Sequence, residues 1–235
     1  MAYGSAMTRR LALVTIGLLA ASVLCVALVE IRTRETGSDY YRFLVWNLFL
    51  AWVPLLLAIA AYARARRRID AVVWAVLVPW LLFFPNAPYL LTDFIHLEEG
   101  PAPLWYDALM LSAFAWTGLL VGFASLYLVQ MIVRRALGAS AAWIAVVAAL
   151  GLASVGVYVG RFVRFNSWDA LLHPLRVADV LQEQLSSVPL RMAEALVGLT
   201  AFLLVGYLVV YGFTGLALGL EPEREEAFRE PRVGA

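Results

Sequence analysis

The chain has 235 residues, of which 63% are hydrophobic and 15% are charged, and its mean hydropathy is +0.81. Soluble domains carry about 25% charged residues, so this composition excludes an ordinary water-soluble domain and predicts a chain that lies in lipid. The net charge of +1 indicates no class of partner and does not favour nucleic-acid binding. Cys25 is the only cysteine, which excludes an intrachain disulfide.

Six apolar segments are each long enough to cross a bilayer as a helix. The first, residues 11–29, would be about 28 Å long. A basic segment precedes it, but it is longer than a typical signal-peptide core and no small-residue cleavage site follows, so it is interpreted as a retained first span. The other predicted spans are residues 43–63, 71–91, 108–133, 141–159 and 192–216.

The pattern predicts an all-α fold, a polytopic helical membrane bundle of six transmembrane helices plus a short outer interfacial helix. That interfacial helix is predicted from Pro174 to Ser187, where apolar and charged residues alternate at helical spacing. Residues 1–220 are predicted to form a single integral membrane domain. Residues 221–235 are predicted to be a disordered, charged cytoplasmic tail.

The distribution of arginine predicts the orientation. All 18 basic residues are arginine, and the short cluster Arg64-Ala65-Arg66-Arg67-Arg68 lies between the second and third spans. With the N-terminus inside, eleven arginines face the cytoplasm and seven face the other side. The positive-inside rule therefore predicts that both termini are cytoplasmic.

Three pairs of glycines are four residues apart, a spacing that lets helices approach closely. One interpretation is a dimerisation face. The favoured one is packing within the chain, since glycine is frequent in membrane helices in any case. The pairs are Gly118 and Gly122, Gly156 and Gly160, and Gly215 and Gly219.

The third span ends in a proline-rich stretch. Pro85 and Pro88 remove two backbone amides, so two carbonyls need other donors, and Asn86 lies between the prolines to supply them. This pattern fits a broken helix that lines a wet polar cavity. It fits equally a span that simply ends at the headgroups.

An acidic loop follows this stretch. Asp93 and His96 are three residues apart and would share a helical face, and Glu98, Glu99 and Asp107 come next. Such a set suits a divalent cation or an acid–base pair, whereas a solvated acidic loop is the simpler reading and is favoured. Asp107 also suits the N-terminus of the fourth span. No metal motif is present, so no metal, cofactor or catalytic residue is predicted.

Arginines follow the fifth span on the side that the orientation rule keeps poor in arginine. Arg161 and Arg164 would pair with the acidic loop, bind an anionic substrate or lipid headgroup, or extend to lipid phosphates. We predict that Asp93 or Asp107 pairs with Arg161 or Arg164 at an outward-facing polar site. The candidate residues of this site are Asn86, Asp93, His96, Asp107, Arg161, Arg164, Asn166 and Asp169.

Four stretches, residues 43–54, 84–93, 105–107 and 160–169, resemble an uncharacterised bacterial multi-pass membrane protein family, domain of unknown function thirteen sixty-one. They include Pro-Asn-Ala-Pro-Tyr at 85–89 and Arg-Phe-Asn-Ser-Trp-Asp at 164–169. The resemblance covers residues 40–213. It implies multi-pass topology, with no established activity, and fits a bacterial cytoplasmic (inner) membrane.

Three function classes remain open. The first is an accessory or structural envelope protein that acts through partner contacts. The second is a membrane enzyme or binding protein for an extracytoplasmic lipid or small anion, and the third is a small-solute transporter. Few ionisable residues lie at mid-span, which counts against ion translocation. The expected partners are membrane lipid and either another protein or a second copy of the chain, with no nucleic acid.

Overall fold

A computed structural model of the chain describes the backbone of residues 2–97, 101–163 and 190–229 and the side chains of residues 12–97, 101–162 and 192–214. Regular structure in these ranges is helical, with no strand, which confirms the predicted all-α fold. The helices are α1 (Ala2–Thr36), α2 (Phe43–Ala65), α3 (Ala71–Phe83), α4 (Asn86–Tyr89), α5 (Leu104–Leu137), α6 (Ala139–Tyr158) and α7 (Leu190–Arg229).

The six predicted spans are confirmed as helical segments long and apolar enough to cross a membrane. The third combines α3, α4 and a 3-10 segment, Leu90–His96, and the fifth continues from α6 into a π-helical turn, Val159–Val163. The spans are Ala12–Thr36, Tyr40–Ala65, Ala71–His96, Leu104–Leu137, Ala139–Phe162 and Met192–Thr214. The interfacial helix predicted at residues 174–187 lies outside the described residues.

The last helix reaches into the segment predicted as a tail. Its backbone continues to Arg229. Residues 221–229 include four glutamates and two arginines, which have high intrinsic helix propensity, and Pro222, which has a low one. The division into a membrane domain and a separate tail stays a prediction.

Helix α5 lies at the centre of the bundle and is the most buried of the six spans. It contacts α1, α2, α4 and α6. Side-chain hydrogen bonds add to the apolar packing, as polar residues commonly do between membrane helices. Trp80 Nε1 donates to Ser125 Oγ at 2.6 Å, Tyr207 Oη to Gln130 Oε1 at 2.6 Å, Thr200 Oγ1 to Ser154 Oγ at 3.0 Å, and Trp52 Nε1 to Ser22 Oγ at 3.0 Å.

Successive spans alternate in direction, so the bundle has two ends with different sequences. The basic end comprises residues 64–71 and 134–139, where α2 meets α3 and α5 meets α6. Gly138 makes the second of these turns at φ +91°, a conformation that favours glycine. The paired end comprises residues 30–47, 89–97, 101–107 and 158–162 of the described chain, and it holds the described part of the candidate site.

Candidate functional site

The third span breaks where the two prolines predict it. Helix α3 ends at Phe83, and Asn86 Nδ2 donates to the Phe83 carbonyl at 2.8 Å, while the Ala87 amide donates to the Phe84 carbonyl at 3.1 Å. Asn86 thus donates to the backbone of its own span, but to a carbonyl other than those of Leu81 and Phe84, whose amide partners the two prolines remove. The chain then continues through α4 into the 3-10 segment, which carries Thr92, Asp93 and His96.

The broken segment packs closely against glycines of the neighbouring helices α5 and α6. A Cβ on Gly118 would lie 2.7 Å from the Ala87 carbonyl oxygen, and a Cβ on Gly156 would lie 2.5 Å from Pro85 Cγ. These glycines therefore serve packing within the chain, as favoured above.

One face of the break adjoins a small apolar cavity, and the predicted wet cavity stays a prediction. The small cavity beside Pro88 is lined by Phe84, Pro88, Leu119, Gly122, Phe123, Leu150 and Leu203, all without polar side chains. On this face the broken segment packs against apolar side chains and glycine, because the missing glycine side chains let the backbones come together.

Arg161 is the centre of the polar cluster at the paired end. The π-helical turn after α6 carries it, and its guanidinium forms an ion pair with Asp93. Thr92 Oγ1 accepts from Arg161 Nη2 at 2.8 Å and from Nε at 3.1 Å. The guanidinium carbon also lies 4.3 Å from the centre of the Tyr89 ring, a cation–π distance. One of the predicted pairs, Asp93 with Arg161, is thus present.

Asp93 has no exposed surface, and Arg161 is 13% exposed. The carboxylate also accepts from Asn47 Nδ2 at 3.3 Å, which joins α2 to the cluster. A buried carboxylate requires such partners because its desolvation is costly. The pair is therefore electrically neutral and joins three separate segments of the chain.

His96 links the cluster to the chain entering α2. Its Nε2 lies 3.3 Å from Arg161 Nη1, and its Nδ1 lies 3.0 Å from Tyr40 Oη. Since arginine only donates, Nε2 accepts, and a neutral imidazole then carries its proton on Nδ1 and donates to Tyr40. Tyr41 Oη donates to the backbone carbonyl of His96. Asp93 and His96 both contact Arg161, so they lie in one cluster.

Asp107 does not join this cluster through Arg161, as one version of the prediction had it, but pairs with Arg32 of α1. Arg32 Nε lies 2.6 Å from Asp107 Oδ1 and Nη2 lies 3.1 Å from Oδ2, a bidentate fork in which both side chains are almost wholly buried. Arg32 also lies over the Tyr41 ring at 4.4 Å. The physical reason is proximity: Asp107 is in the first turn of α5, which packs directly on α1.

The remaining candidates are not described. Arg164, Asn166 and Asp169 lie outside the described residues, as do Glu98 and Glu99. In the part of the chain that is described, no three His, Cys, Asp or Glu side chains converge on a position for a metal ion. The use of the cluster for binding or catalysis stays a prediction.

Several residues of the cluster were missed by sequence reasoning. Arg32 was counted only toward orientation, and Thr92, Tyr89, Tyr40 and Asn47 were given no role. A usable signal existed for Arg32, because an arginine directly after an apolar span needs a carboxylate or a phosphate. Nothing in the sequence identified Asn47 as a partner, since its position depends on how α2 packs.

Six apolar helices and a buried polar cluster at one end define a multi-pass integral membrane protein. The family model described as "Protein of unknown function (DUF1361)" matches residues 46–209. The chain belongs to this family, which confirms the resemblance drawn from the motifs. No curated protein and no solved structure matches the chain.

Proposed function

We propose that the protein is an accessory or structural component of the bacterial cell envelope, located in the cytoplasmic (inner) membrane. The hydrogen-bond partners of the Arg161 guanidinium support this function. Its donors go to Thr92, Asp93 and His96 of its own chain. An arginine that serves a ligand needs donors directed toward that ligand. Arg161 instead joins the third span to the fifth, and the protein acts through contacts with another membrane protein or a second copy.

A double-mutant cycle tests the structural role of the cluster. Arg161→Met or Asp93→Leu alone should each lower the free energy of unfolding by about 3–5 kcal/mol, because each leaves one buried charge without its partner. The double variant should recover much of the loss. The measurement is denaturant unfolding of the purified protein in mild detergent. Single variants that unfold like the wild type would contradict the proposal.

The partner contact is tested in native membranes. Crosslinking before detergent extraction should give one defined adduct, either with a single other protein or with a second copy. A tagged multi-pass protein expressed at the same level serves as the control for random collisions. A chain that stays uncrosslinked, or that gives the same adducts as the control, contradicts an accessory role.

Orientation belongs to the same proposal: both termini and the basic end face the cytoplasm, and the paired end faces outward. The excess of arginine at the basic end supports it. On a Cys25→Ser background, a membrane-impermeant thiol reagent applied to whole cells should label Gly100→Cys and leave Arg66→Cys unlabelled. The reverse pattern overturns the orientation.

A second candidate function is binding or processing of an extracytoplasmic lipid or small anion. It is favoured by the partial exposure of His96 and Arg161 where the fifth span ends. Under this alternative, Arg161→Met keeps its stability while inorganic phosphate or a headgroup no longer protects the protein against unfolding. A transporter has weaker support, since the buried arginine and aspartate side chains of the described chain, Arg32, Asp93 and Asp107, lie at one end rather than along a path.

A further inference from the structure

The basic end holds six arginines and one aspartate among the described residues. Asp70 accounts for two of the arginines, because its carboxylate lies 2.5 Å from Arg64 Nη2 and 2.8 Å from Arg68 Nε. The other four have no carboxylate partner in the described chain. These are Arg66, Arg67, Arg134 and Arg135.

Two of these four are used within the fold. Arg135 Nη1 donates to the Ala65 carbonyl at 2.9 Å, so it holds the last turn of α5 against the last turn of α2. Arg134 Nη1 lies 3.4 Å from Tyr211 Oη. Arginine at a helix C-terminus is stabilised by the helix dipole and the free carbonyls, and this explains both residues without any ligand.

Arg66 and Arg67 are different. Both follow the end of α2 and both are exposed. The contact of Arg135 with Ala65 places a further guanidinium beside them. The Arg135 guanidinium therefore lies against the backbone from which the exposed side chains of Arg66 and Arg67 extend. Arg135 serves as a helix cap, whereas no contact within the described chain assigns the other two side chains a role in the fold.

The paired end differs, because its described arginines all have carboxylate partners. Every described arginine there has a carboxylate: Arg32 has Asp107, Arg161 has Asp93, and Arg34 and Arg42 both contact Glu30. An external anion would have to displace those carboxylates. At Arg66 and Arg67 it would meet none from the described chain.

The position of Arg66 and Arg67 relative to the bilayer indicates which class of anion they would bind. Arg66 and Arg67 come directly after the second span, and Trp74, partly exposed, lies one turn into the third. Tryptophan near a span end marks the level of the lipid headgroups. We propose that Arg66 and Arg67, beside Arg135, bind the phosphate group of an anionic phospholipid. Guanidinium forks match phosphate oxygens in a bidentate way.

The test measures lipid binding to the full-length chain in detergent by native mass spectrometry, because the acidic residues after Glu221 leave the sixth span at the same end and must be present. Phosphatidylglycerol and phosphatidylcholine with identical acyl chains are the two lipid probes, and inorganic phosphate is the third. The wild type should bind phosphatidylglycerol in preference to phosphatidylcholine. Arg66→Gln with Arg67→Gln should weaken phosphatidylglycerol binding by about thirtyfold, as expected for the loss of two surface cations.

The matched control is Arg34→Gln with Arg42→Gln, which removes the same charge from exposed positions at the paired end. It should leave phosphatidylglycerol binding unchanged. Added salt should weaken phosphatidylglycerol binding to the wild type and leave phosphatidylcholine binding unaffected, a measurement that does not depend on any variant folding.

Three results would overturn the proposal. One is equal binding of the two lipids by the wild type. Another is an equal loss in both arginine variants, which would indicate nonspecific attraction to net charge. The third is competition by inorganic phosphate at the same concentration as the lipid, which would make this a site for free phosphate instead.

Discussion

Arginine side chains lie in different environments at the two ends of the bundle. At the paired end, Arg32 and Arg161 are largely buried, and each forms an ion pair with an aspartate from another span. At the basic end, Arg66 and Arg67 are exposed and lie beyond the helix that precedes them. The comparison teaches that burial and partner, rather than residue type or local charge count, decide what an arginine does here.

The physical basis of the difference is dielectric. A charge near the lipid boundary and away from water interacts strongly with its partner and is very costly to leave alone. An exposed charge at the headgroup level is screened by water and salt, so losing it changes stability little. The paired end should therefore respond to substitution through folding, and the basic end through binding.

The largest effect is expected from Asp107→Asn. The amide keeps the shape of the side chain but leaves Arg32 buried without its counter-charge, which should lower the free energy of unfolding by about 3–5 kcal/mol. Asp70→Asn makes the identical chemical change at the basic end, where the partners are exposed, and should cost much less. Denaturant unfolding of both variants in the same detergent is the measurement. Equal losses at the two ends would remove the distinction between them.

A smaller effect should follow from Gly118→Ala. The new methyl would lie 2.6 Å from Leu90 Cδ1 and 2.7 Å from the Ala87 carbonyl oxygen. The broken span would have to move away from α5, and overpacking of this kind costs about 1–3 kcal/mol. Because Thr92 and Asp93 follow directly, the shift should also weaken the Arg161 cluster.

Gly151→Ala is the control for this substitution. It is also a glycine inside a helix, but nothing lies within 4 Å of its added Cβ. It should be neutral or stabilising, because alanine has the higher helix propensity. If Gly118→Ala behaves like Gly151→Ala in thermal unfolding, the close contact with the broken span does not determine stability.

The six spans could be predicted because length and apolarity are local properties of the sequence. The break at Pro85 was predictable for the same reason, since proline acts on its own backbone. The ion-pair partners were harder to predict from the sequence. Arg32 and Asp107 are 75 positions apart, and their contact depends on α1 packing against α5, which no local pattern reports.

The Asp93–Arg161 pair lies between these two cases. Both residues end a span on the same side, so topology alone brings them to one end, and the need to neutralise charge there made the pair a sound prediction. Topology did not separate Asp93 from Asp107 as the partner. The packing of the helices separates them, because α5 packs on α1 and brings Asp107 to Arg32, while Asp93 remains beside Arg161.

A weaker effect is expected from pH at the basic end. The Arg64 guanidinium beside Asp70, with the Val73 amide and Arg68, lowers the pKa of that carboxyl from 3.8 to about 2. A lowered folded-state pKa means that the stabilisation is complete above the unfolded-state value near 4 and is lost as pH falls toward 2. Unfolding measured between these pH values should show this loss.

Asp70→Asn is the matched variant for this measurement, because asparagine also caps a helix N-terminus well. The difference in stability between wild type and variant should shrink as pH falls from 4 to 2, whatever the other carboxyl groups contribute. A difference that stays constant over this range would show that the Asp70 charge adds nothing to the fold.

The smallest effect on stability is expected from Arg66→Gln with Arg67→Gln in lipid-free detergent. Both side chains are exposed and neither has a carboxylate partner in the described chain, so the free energy of unfolding should change by less than about 0.5 kcal/mol. Adding phosphatidylglycerol should then stabilise the wild type more than the variant, because a ligand stabilises the state that binds it. A large loss of stability without lipid would instead assign these arginines to the fold, and the two ends would no longer differ in kind.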